Sequence, residues 1–306
     1  MAHIPLLQAA LLASGLVAAP TTEPPAVPVF SSELSLVNVA VTVEDRKGQP
    51  IPGLTARDFV LSEDGHRQQI DLCARMGAPG SGPSTALDLA LLVDTSDSML
   101  ETLRRSQESA VRFLTTLPNA RELLVVLFDQ QQRVEHFDRD HPEALFDRLK
   151  AVPDGGNTAL RDAITSTLRT IHSSTGRSAL VLLTDGIDTA SSTSPQALER
   201  AVQANSVVIY PVAFPVEAGE GSGAGDALDS LGRLADLSGG RLFKLTGEQA
   251  LPGVLDEILA DLRAQYVLGF APPSSGAPDR LRKISVKVPG HKDAVVRHRV
   301  GYRLKR

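Results

Sequence analysis

The chain has 306 residues, a net charge of −5, and ordinary contents of hydrophobic (42%) and charged (22%) residues, so it is long enough for one large or two modest globular domains. The acidic balance disfavours a protein that binds nucleic-acid backbones, and an aromatic content of 4% disfavours a surface that stacks bases or sugars. A single cysteine excludes an internal disulfide.

The N-terminal segment has the pattern of a secretory signal peptide. Its apolar stretch, Pro5 to Ala19, is too short to span a bilayer comfortably and ends in small residues. We therefore expect residues 1–19 to direct export to the periplasm or the cell exterior, with an uncleaved anchor as the alternative. Residues 20–32 are rich in proline and are predicted to form an extended linker. No other segment is predicted to cross a membrane.

Residues 33–76 are predicted to form a small β unit. Alternating valines over Val37–Val43 indicate a strand with one buried face. Thr55 and Asp58 fit a short capped turn, and Asp64-Gly65 is a strong signal for the turn of a hairpin.

After a glycine- and serine-rich linker at residues 77–84, the hydrophobic pattern changes. Continuous apolar runs indicate strands buried on both faces, and stretches with helical spacing separate them. Strands are predicted at Leu89–Val93, Leu123–Phe128, Ala179–Leu183 and Val207–Val212, and helices around residues 100–117, 160–171, 195–204 and 251–262. This alternation predicts that residues 85–264 form an α/β domain with a doubly wound, mainly parallel sheet. Within it, Gly219–Asp226 is predicted to be a loop.

Residues 265–306 are predicted to return to β structure. The predicted strands are Tyr266–Phe270, Ile284–Val288 and Ala294–Tyr302. Because about three strands are marginally stable alone, we expect them to pair with residues 33–76 in a small β-sandwich that flanks the α/β domain. The basic stretch Arg280–Arg306 is interpreted as exposed strand faces and edge protection, with an acidic partner or a membrane surface as the alternative.

Three polar clusters lie where predicted strands end or a predicted helix begins. They are Asp94-Thr95-Ser96-Asp97-Ser98, Gly155-Gly156-Asn157-Thr158 and Thr184-Asp185-Gly186. In open α/β sheets, ligands bind at the carboxyl ends of the strands, so these clusters are expected to converge there. Carboxylate and hydroxyl oxygens are hard ligands that suit Mg²⁺, which takes about six and usually keeps some waters. No His or Cys lies near them in the sequence, which disfavours Zn²⁺.

The predicted metal ligands are Asp94, Ser96, Ser98, Thr158 and Asp185. Five oxygen-bearing side chains, two of them charged, leave a coordination position open to an outside oxygen. A carboxylate of a partner suits that position best by charge.

These same residues resemble the DxSxS…T…D metal-ion-dependent adhesion site of von Willebrand factor A domains. The surrounding segments LLVDTSDSM, GGNTALRDAI and VLLTDGIDT are also similar to that family, and the resemblance covers about residues 86–263. The flanks resemble those of bacterial exported proteins that carry this domain. The resemblance implies that Ser96, Ser98 and Thr158 bind the metal directly, and that Asp94 and Asp185 bind it directly or through water. Asp129 departs from the pattern, where a small Ser is expected.

The leading hypothesis is a protein-binding module for adhesion or assembly. In it, Mg²⁺, with Mn²⁺ or Ca²⁺ as alternatives, recruits an acidic residue of another protein. A Mg²⁺-dependent hydrolase such as a phosphatase is the second hypothesis, although Ser96 stands where a haloacid-dehalogenase pattern needs an Asp, and no phosphate loop or His base accompanies the site. A scaffold with a structural metal is the third. At the level of single residues, Asp94 and Ser96 are alternatively caps of the following helix.

Overall fold

A computed structural model describes residues 36–75, 86–117, 120–150, 156–171, 177–215, 223–273 and 279–303. The predicted signal peptide and the linkers at 20–32 and 77–84 lie outside these ranges. Within the ranges, no helix combines the length and apolarity that a bilayer crossing requires.

The chain forms fourteen strands and six α-helices in the described ranges. The strands are β1 (Val37–Glu44), β2 (Val60–Glu63), β3 (His66–Arg67), β4 (Leu72–Arg75), β5 (Leu87–Asp94), β6 (Ala120–Phe128), β7 (Gln132–His136), β8 (Arg177–Thr184), β9 (Val207–Ala213), β10 (Phe243–Lys244), β11 (Tyr266–Phe270), β12 (Arg282–Lys287), β13 (Val295–His298) and β14 (Gly301–Tyr302). The helices are α1 (Leu100–Thr116), α2 (Glu143–Lys150), α3 (Leu160–Thr170), α4 (Pro195–Gln203), α5 (Ala224–Ser238) and α6 (Leu251–Ala264).

The central sheet has six strands in the order β10-β9-β8-β5-β6-β7. Only the β6–β7 pair is antiparallel. Every residue of β5 and β8 is buried, because helices cover both faces of the sheet, and this explains their continuous apolar runs. One hydrophobic core packs residues of α1, α2 and α6 on one face, and a second packs residues of α3, α4 and α5 on the other. The predicted doubly wound, mainly parallel α/β fold is confirmed.

Two four-stranded antiparallel sheets flank the central sheet, in the orders β13-β1-β11-β4 and β14-β12-β2-β3. Strands from the two ends of the chain therefore pair directly, β1 with β11 and β2 with β12. The inward residues of both sheets share one hydrophobic core, as in a sandwich. The limits of the predicted domains, 33–76, 85–264 and 265–306, remain a prediction.

The two turns predicted in the first β unit are also confirmed. Asp64 and Gly65, with positive φ angles of 49° and 85°, form the two-residue turn between β2 and β3. The Asp58 carboxylate accepts hydrogen bonds from the backbone N–H (2.7 Å) and hydroxyl (2.8 Å) of Thr55, which closes the predicted capped turn.

Two predictions made from the sequence were wrong in detail. The predicted loop Gly219–Asp226 ends early, because α5 already begins at Ala224. The basic C-terminal stretch is not simply an exposed strand face. Arg282 and Arg299 are buried, and Arg297 is largely buried between Glu44 and Asp261. These cations hold the protein together internally.

Candidate functional site

Asp94 is the last residue of β5 and is completely buried at the carboxyl end of the central sheet. Its Oδ1 accepts a hydrogen bond from the backbone N–H of Ser96 (3.0 Å), and its Oδ2 accepts one from the Thr184 hydroxyl (2.6 Å). Thr184 is the last residue of β8, which lies next to β5. The Asp94 carboxylate therefore joins the ends of two neighbouring strands and is fixed in orientation.

Ser96, Ser98 and Asp185 continue the cluster toward solvent. The Ser98 hydroxyl donates to Asp185 Oδ2 (2.7 Å), and the hydroxyl oxygens of Ser96 and Ser98 are 3.4 Å apart. Asp185 Oδ1 accepts from the backbone N–H of Ile187 (2.9 Å), which fixes the carboxylate. Ser96 and Asp185 are buried, whereas Ser98 is exposed, so the cluster reaches from the protein interior to the surface.

The loop that carries Thr158 is held at the same sheet edge by backbone hydrogen bonds. The N–H of Ala159 donates to the carbonyl of Asp129, directly after β6, and the Thr158 carbonyl accepts from the N–H groups of Thr189 and Ala190, all at 2.9 Å. Thr158 is buried, and in the described part of the chain its hydroxyl makes no hydrogen bond. Four of the five predicted ligands thus share one hydrogen-bonded cluster, and Thr158 lies on a loop anchored between the ends of β6 and β8.

Within the described ranges, the two carboxylates have no cationic partner. Among the residues described, no Lys, Arg or His forms an ion pair with Asp94 or Asp185. Burial raises the pKa of Asp94 to about 6, and the neighbouring charge of Asp185 adds to that effect, against hydrogen bonds from Ser96 and Thr184 that lower the pKa. A buried carboxylate without compensation is unfavourable, so the electrostatics of this cluster favour an added cation.

The helix-cap interpretation of Asp94 and Ser96 is wrong. Helix α1 begins at Leu100, its N-cap is Met99, and no side chain caps it. Near that helix start, the Ser96 carbonyl accepts a hydrogen bond from the N–H of Met99 (2.9 Å). The Asp94 carboxylate and the Ser96 hydroxyl are therefore not engaged in capping.

Two residues near the cluster were not assigned a role from the sequence. Thr184 holds the Asp94 carboxylate and also accepts from the N–H of Gly186 (3.0 Å), and the Thr189 hydroxyl accepts from the N–H of Thr158 (2.8 Å). The position of Thr184 at the strand end, directly before Asp185, could have indicated its role from the sequence. Asp129, which departs from the family pattern, accepts from the N–H of Gln131 (2.6 Å).

The donor chemistry of the cluster fits a hard divalent ion. It offers two carboxylates and the hydroxyls of Ser96 and Ser98, with the hydroxyl of Thr158 on the adjoining loop. No group of three or more His, Cys, Asp or Glu side chains that could hold a metal occurs in the described ranges. A metal bound here therefore needs hydroxyl ligands, which suits Mg²⁺-type ions and not Zn²⁺.

Several solved structures share the fold at low similarity. A von Willebrand factor type A protein from Catenulispora acidiphila is 13% identical, with a TM-score of 0.47, and the match covers 90% of this chain and 76% of that one. The ArnB paralog VWA2 from Sulfolobus acidocaldarius is 17% identical, with a TM-score of 0.47 and coverages of 81% and 75%. An aerotolerance-related membrane protein from Bacteroides fragilis is 15% identical, with a TM-score of 0.44 and coverages of 57% and 98%.

Structural likeness at this level does not establish the family. A search of curated protein sequences found no significant match. The family model of the von Willebrand factor type A domain, however, matches residues 88–257, which include β5 except its first residue, β8 and the whole polar cluster. Because that match spans more than half of the 306 residues, the chain belongs to the von Willebrand factor type A domain family.

Proposed function

We propose that the protein is a metal-dependent protein-binding module for adhesion or assembly. Asp94, Ser96, Ser98, Thr158 and Asp185 hold the ion, which is Mg²⁺ or a similar hard cation such as Mn²⁺ or Ca²⁺. The observation that carries this proposal is the pair of buried carboxylates, Asp94 and Asp185. They are connected through hydrogen bonds of Ser96 and Ser98 and have no cationic partner in the described residues. A divalent cation compensates two negative charges that burial otherwise makes unfavourable.

An acidic residue of a partner protein completes the metal shell in this proposal. With one oxygen from each side chain, these five residues supply fewer ligands than the roughly six that Mg²⁺ takes. When bound, the ion offers a coordination position to an outside oxygen, and a carboxylate adds favourable charge to it. Ser98 is exposed, so the cluster is accessible from solvent. Asp185 holds the Ser98 hydroxyl in place, and Asp94 holds the backbone of Ser96, through the hydrogen bonds described above.

Binding is favoured over catalysis because the cluster does not match the hydrolase patterns considered above. In the described residues, no histidine hydrogen-bonds to it, and the side chain two residues after Asp94 is the hydroxyl of Ser96 and not a second carboxylate. General acid–base catalysis requires such a proton donor or acceptor near the reacting atoms. We therefore propose binding rather than hydrolysis as the role of this cluster.

We also propose that the protein is exported, to the periplasm or beyond. The support is the sequence of residues 1–19, with its short apolar stretch followed by small residues. Export would place the metal site where it meets other envelope or surface proteins.

The test is affinity capture of native envelope proteins on the immobilised chain, with Mg²⁺ or with a chelator, followed by mass spectrometry. Asp94→Ala and Asp185→Ala remove ligands from the cluster. Asp97→Ala is the matched control, because Asp97 lies in the same loop but is exposed and outside the hydrogen-bonded cluster. The proposal predicts proteins that the wild type and Asp97→Ala retain in Mg²⁺ and release in chelator, and that the other two variants fail to retain.

Capture that survives both Asp94→Ala and Asp185→Ala would refute the proposed recruitment. If these variants lose the metal but retain the same proteins, the ion is structural. Turnover of a generic phosphoester by the wild type, dependent on Mg²⁺ and lost in Asp94→Ala, would instead establish the hydrolase.

A further inference from the structure

The strand β7 forms one edge of the central sheet. Among the described residues it pairs only with β6. Two hydrogen bonds at the ends of the β6–β7 pair show which residues of β7 direct their backbone groups toward β6. Phe137 donates its N–H to the Leu123 carbonyl (2.8 Å), and Asp129 donates its N–H to the Gln131 carbonyl (3.0 Å). In antiparallel strands, every second residue directs its backbone groups to the neighbour. The odd-numbered residues of β7 therefore face β6.

It follows that Gln132, Val134 and His136 direct their N–H and C=O groups outward, along the free side of the strand. An edge of this kind is a template for pairing with another chain unless charged side chains (lysine especially), proline, a bulge or a very short strand protects it. β7 does carry Arg133 and Glu135, but these charges have opposite signs and so do not repel a second copy of the strand. The five residues of β7, QRVEH, contain neither lysine nor proline, and the register with β6 is unbroken. Val134 is also 47% exposed, one of three large hydrophobic residues so exposed in the described ranges.

The sequence of β7 is complementary to itself. If two copies pair antiparallel around Val134, Arg133 lies opposite Glu135 of the partner subunit, and Val134 lies against Val134 of the partner subunit. The Arg133 side chain is 37% exposed and its Nη2 is 3.7 Å from Asp129, so it makes only a long ion pair within the chain. Opposite charges directly across a strand pair are stabilising, so this register is favoured over its neighbours.

We propose that this edge binds a second copy of the chain, through antiparallel pairing of β7 with β7 about a two-fold axis at Val134. The outward-facing groups of Gln132, Val134 and His136 then form about six hydrogen bonds, two for each hydrogen-bonded pair. The result is a continuous sheet of twelve strands, six from each copy. The interface is isologous, so it closes at the dimer and does not extend into a fibre.

This arrangement determines the direction of the two polar clusters. The two-fold axis stands perpendicular to the sheet, so it reverses the strands of one copy relative to the other. The carboxyl ends of β5 and β8, with their clusters, therefore face opposite ways in the dimer. Such a dimer presents two equivalent sites that engage partners on opposite sides. The dimer itself does not depend on metal.

The test is sedimentation equilibrium of the full chain over a wide concentration range in the presence of a chelator. A five-residue strand makes a small interface, so a reversible monomer–dimer equilibrium is expected. Val134→Lys is expected to raise the dimer dissociation constant at least about tenfold. Val295→Lys is the matched control and is expected to leave it unchanged, because Val295 is similarly exposed (51%) on β13, an edge strand of another sheet.

Charge reversal identifies the register. Arg133→Glu and Glu135→Arg each place like charges across the two-fold axis and are expected to be monomeric alone. Mixing the two variants restores opposite charges at both cross-strand positions and is expected to recover a heterodimer. Circular dichroism checks that both variants fold, since Glu135 also pairs with Arg148 within the chain. A wild type that stays monomeric up to about 1 mM, or a dimer that Val134→Lys does not weaken, overturns the proposal.

Discussion

At the scale of single residues, Asp94 sets the chemistry of the site. Its carboxylate is fully buried, receives hydrogen bonds from Ser96 and Thr184, and lies close to a second carboxylate, that of Asp185. Burial disfavours its charged form, while the hydrogen bonds orient it. An acid placed in this way is costly in the absence of a cation and becomes favourable once one binds.

The pH dependence of stability tests whether the buried, charged Asp94 carboxylate destabilises the metal-free protein. Because burial raises the folded pKa of Asp94 from 3.8 to about 6, the metal-free protein loses stability as the pH rises from about 4 through 6. The shift corresponds to about 3 kcal/mol. We predict that the free energy of unfolding of the wild type, relative to Asp94→Asn, falls by about this amount between pH 4 and 7 in chelator. Denaturant titrations at several pH values measure it, and a difference that is constant with pH contradicts it.

Thr184 is predicted to act as a positioning residue for Asp94. Thr184→Val has the same shape but cannot donate to Asp94 Oδ2, so we expect the affinity for Mn²⁺ or Mg²⁺ to fall about 10- to 100-fold while the fold is retained. Calorimetric titration measures the affinity. Thr95→Val is the matched control, because the Thr95 hydroxyl is buried nearby but donates only to the Phe128 carbonyl (3.0 Å). Equal affinities in the two variants would rule out this role.

At the scale of elements, the buried strands were the easiest to predict. The uninterrupted apolar runs of β5 and β8 reflect burial on both faces, and the predicted strand at Tyr266–Phe270 coincides with β11. β7 was missed because it is a polar edge strand without a hydrophobic run, and its structure depends on pairing with β6. α2 was missed because it has only eight residues, four of them charged, and so gives a weak helical pattern.

The candidate site was predictable in part. The sequence places Asp94 and Asp185 at strand ends, and parallel strands end at a common edge, which predicts that the two approach each other. The hydrogen bonds that connect them depend on register. Thr184 reaches Asp94 only because β8 pairs directly with β5, and no local pattern records that pairing. The participation of all five residues in metal binding remains a prediction.

His298 connects the two sheets of the sandwich and is predicted to make it sensitive to acid. Its Nε2 accepts from the N–H of Val286 in β12 (3.2 Å), and its Nδ1 lies 2.8 Å from the Arg299 carbonyl, so the neutral ring fits both contacts. Burial lowers its pKa, and it is flanked in sequence by the cations Arg297 and Arg299. The protonated ring cannot accept the hydrogen bond from Val286.

Because the pKa of His298 is lower in the folded than in the unfolded protein, the direction in which stability changes with pH is determined. The stabilising contribution of His298 is present above the unfolded pKa of about 6.5 and is lost as the pH falls through the folded pKa. We predict that the wild type loses stability below pH 6.5 more steeply than His298→Gln, by at most about 1.4 kcal/mol per pH unit. Denaturant unfolding between pH 5 and 7.5 measures both. Parallel curves for the two proteins would exclude the contribution of His298.

At the scale of the whole molecule, arginines of the C-terminal segment connect the sandwich to the helices of the central sheet. Arg297 binds Asp261 of α6 (2.8 and 3.2 Å) and Glu44 of β1 (3.0 Å). Arg299 donates to the Gln203 carbonyl at the end of α4 (2.9 Å) and to the Ser206 hydroxyl (3.0 Å). The two β flanks and the α/β fold are therefore joined by largely buried polar contacts, at the opposite end of the sheet from the polar cluster.

Arg297→Met is predicted to lower the free energy of unfolding by about 3–5 kcal/mol, because it leaves the buried carboxylate of Asp261 and the partly buried one of Glu44 without their cation. Chemical denaturation at neutral pH measures the change. Arg46→Met is the matched control, since Arg46 pairs with Asp293 on the surface and its loss is expected to cost less than about 1 kcal/mol. Similar losses in both variants would show that burial does not govern this contact.

The most direct measurement is a calorimetric titration of the metal-free chain with Mn²⁺ or Mg²⁺, in the wild type, Asp185→Ala, Thr158→Val and Asp97→Ala. The account predicts one ion per chain, an affinity reduced at least about tenfold by Asp185→Ala and by Thr158→Val, and no change in Asp97→Ala. No uptake of a divalent ion by the wild type, or uptake that Asp185→Ala and Thr158→Val leave unaltered, would contradict it.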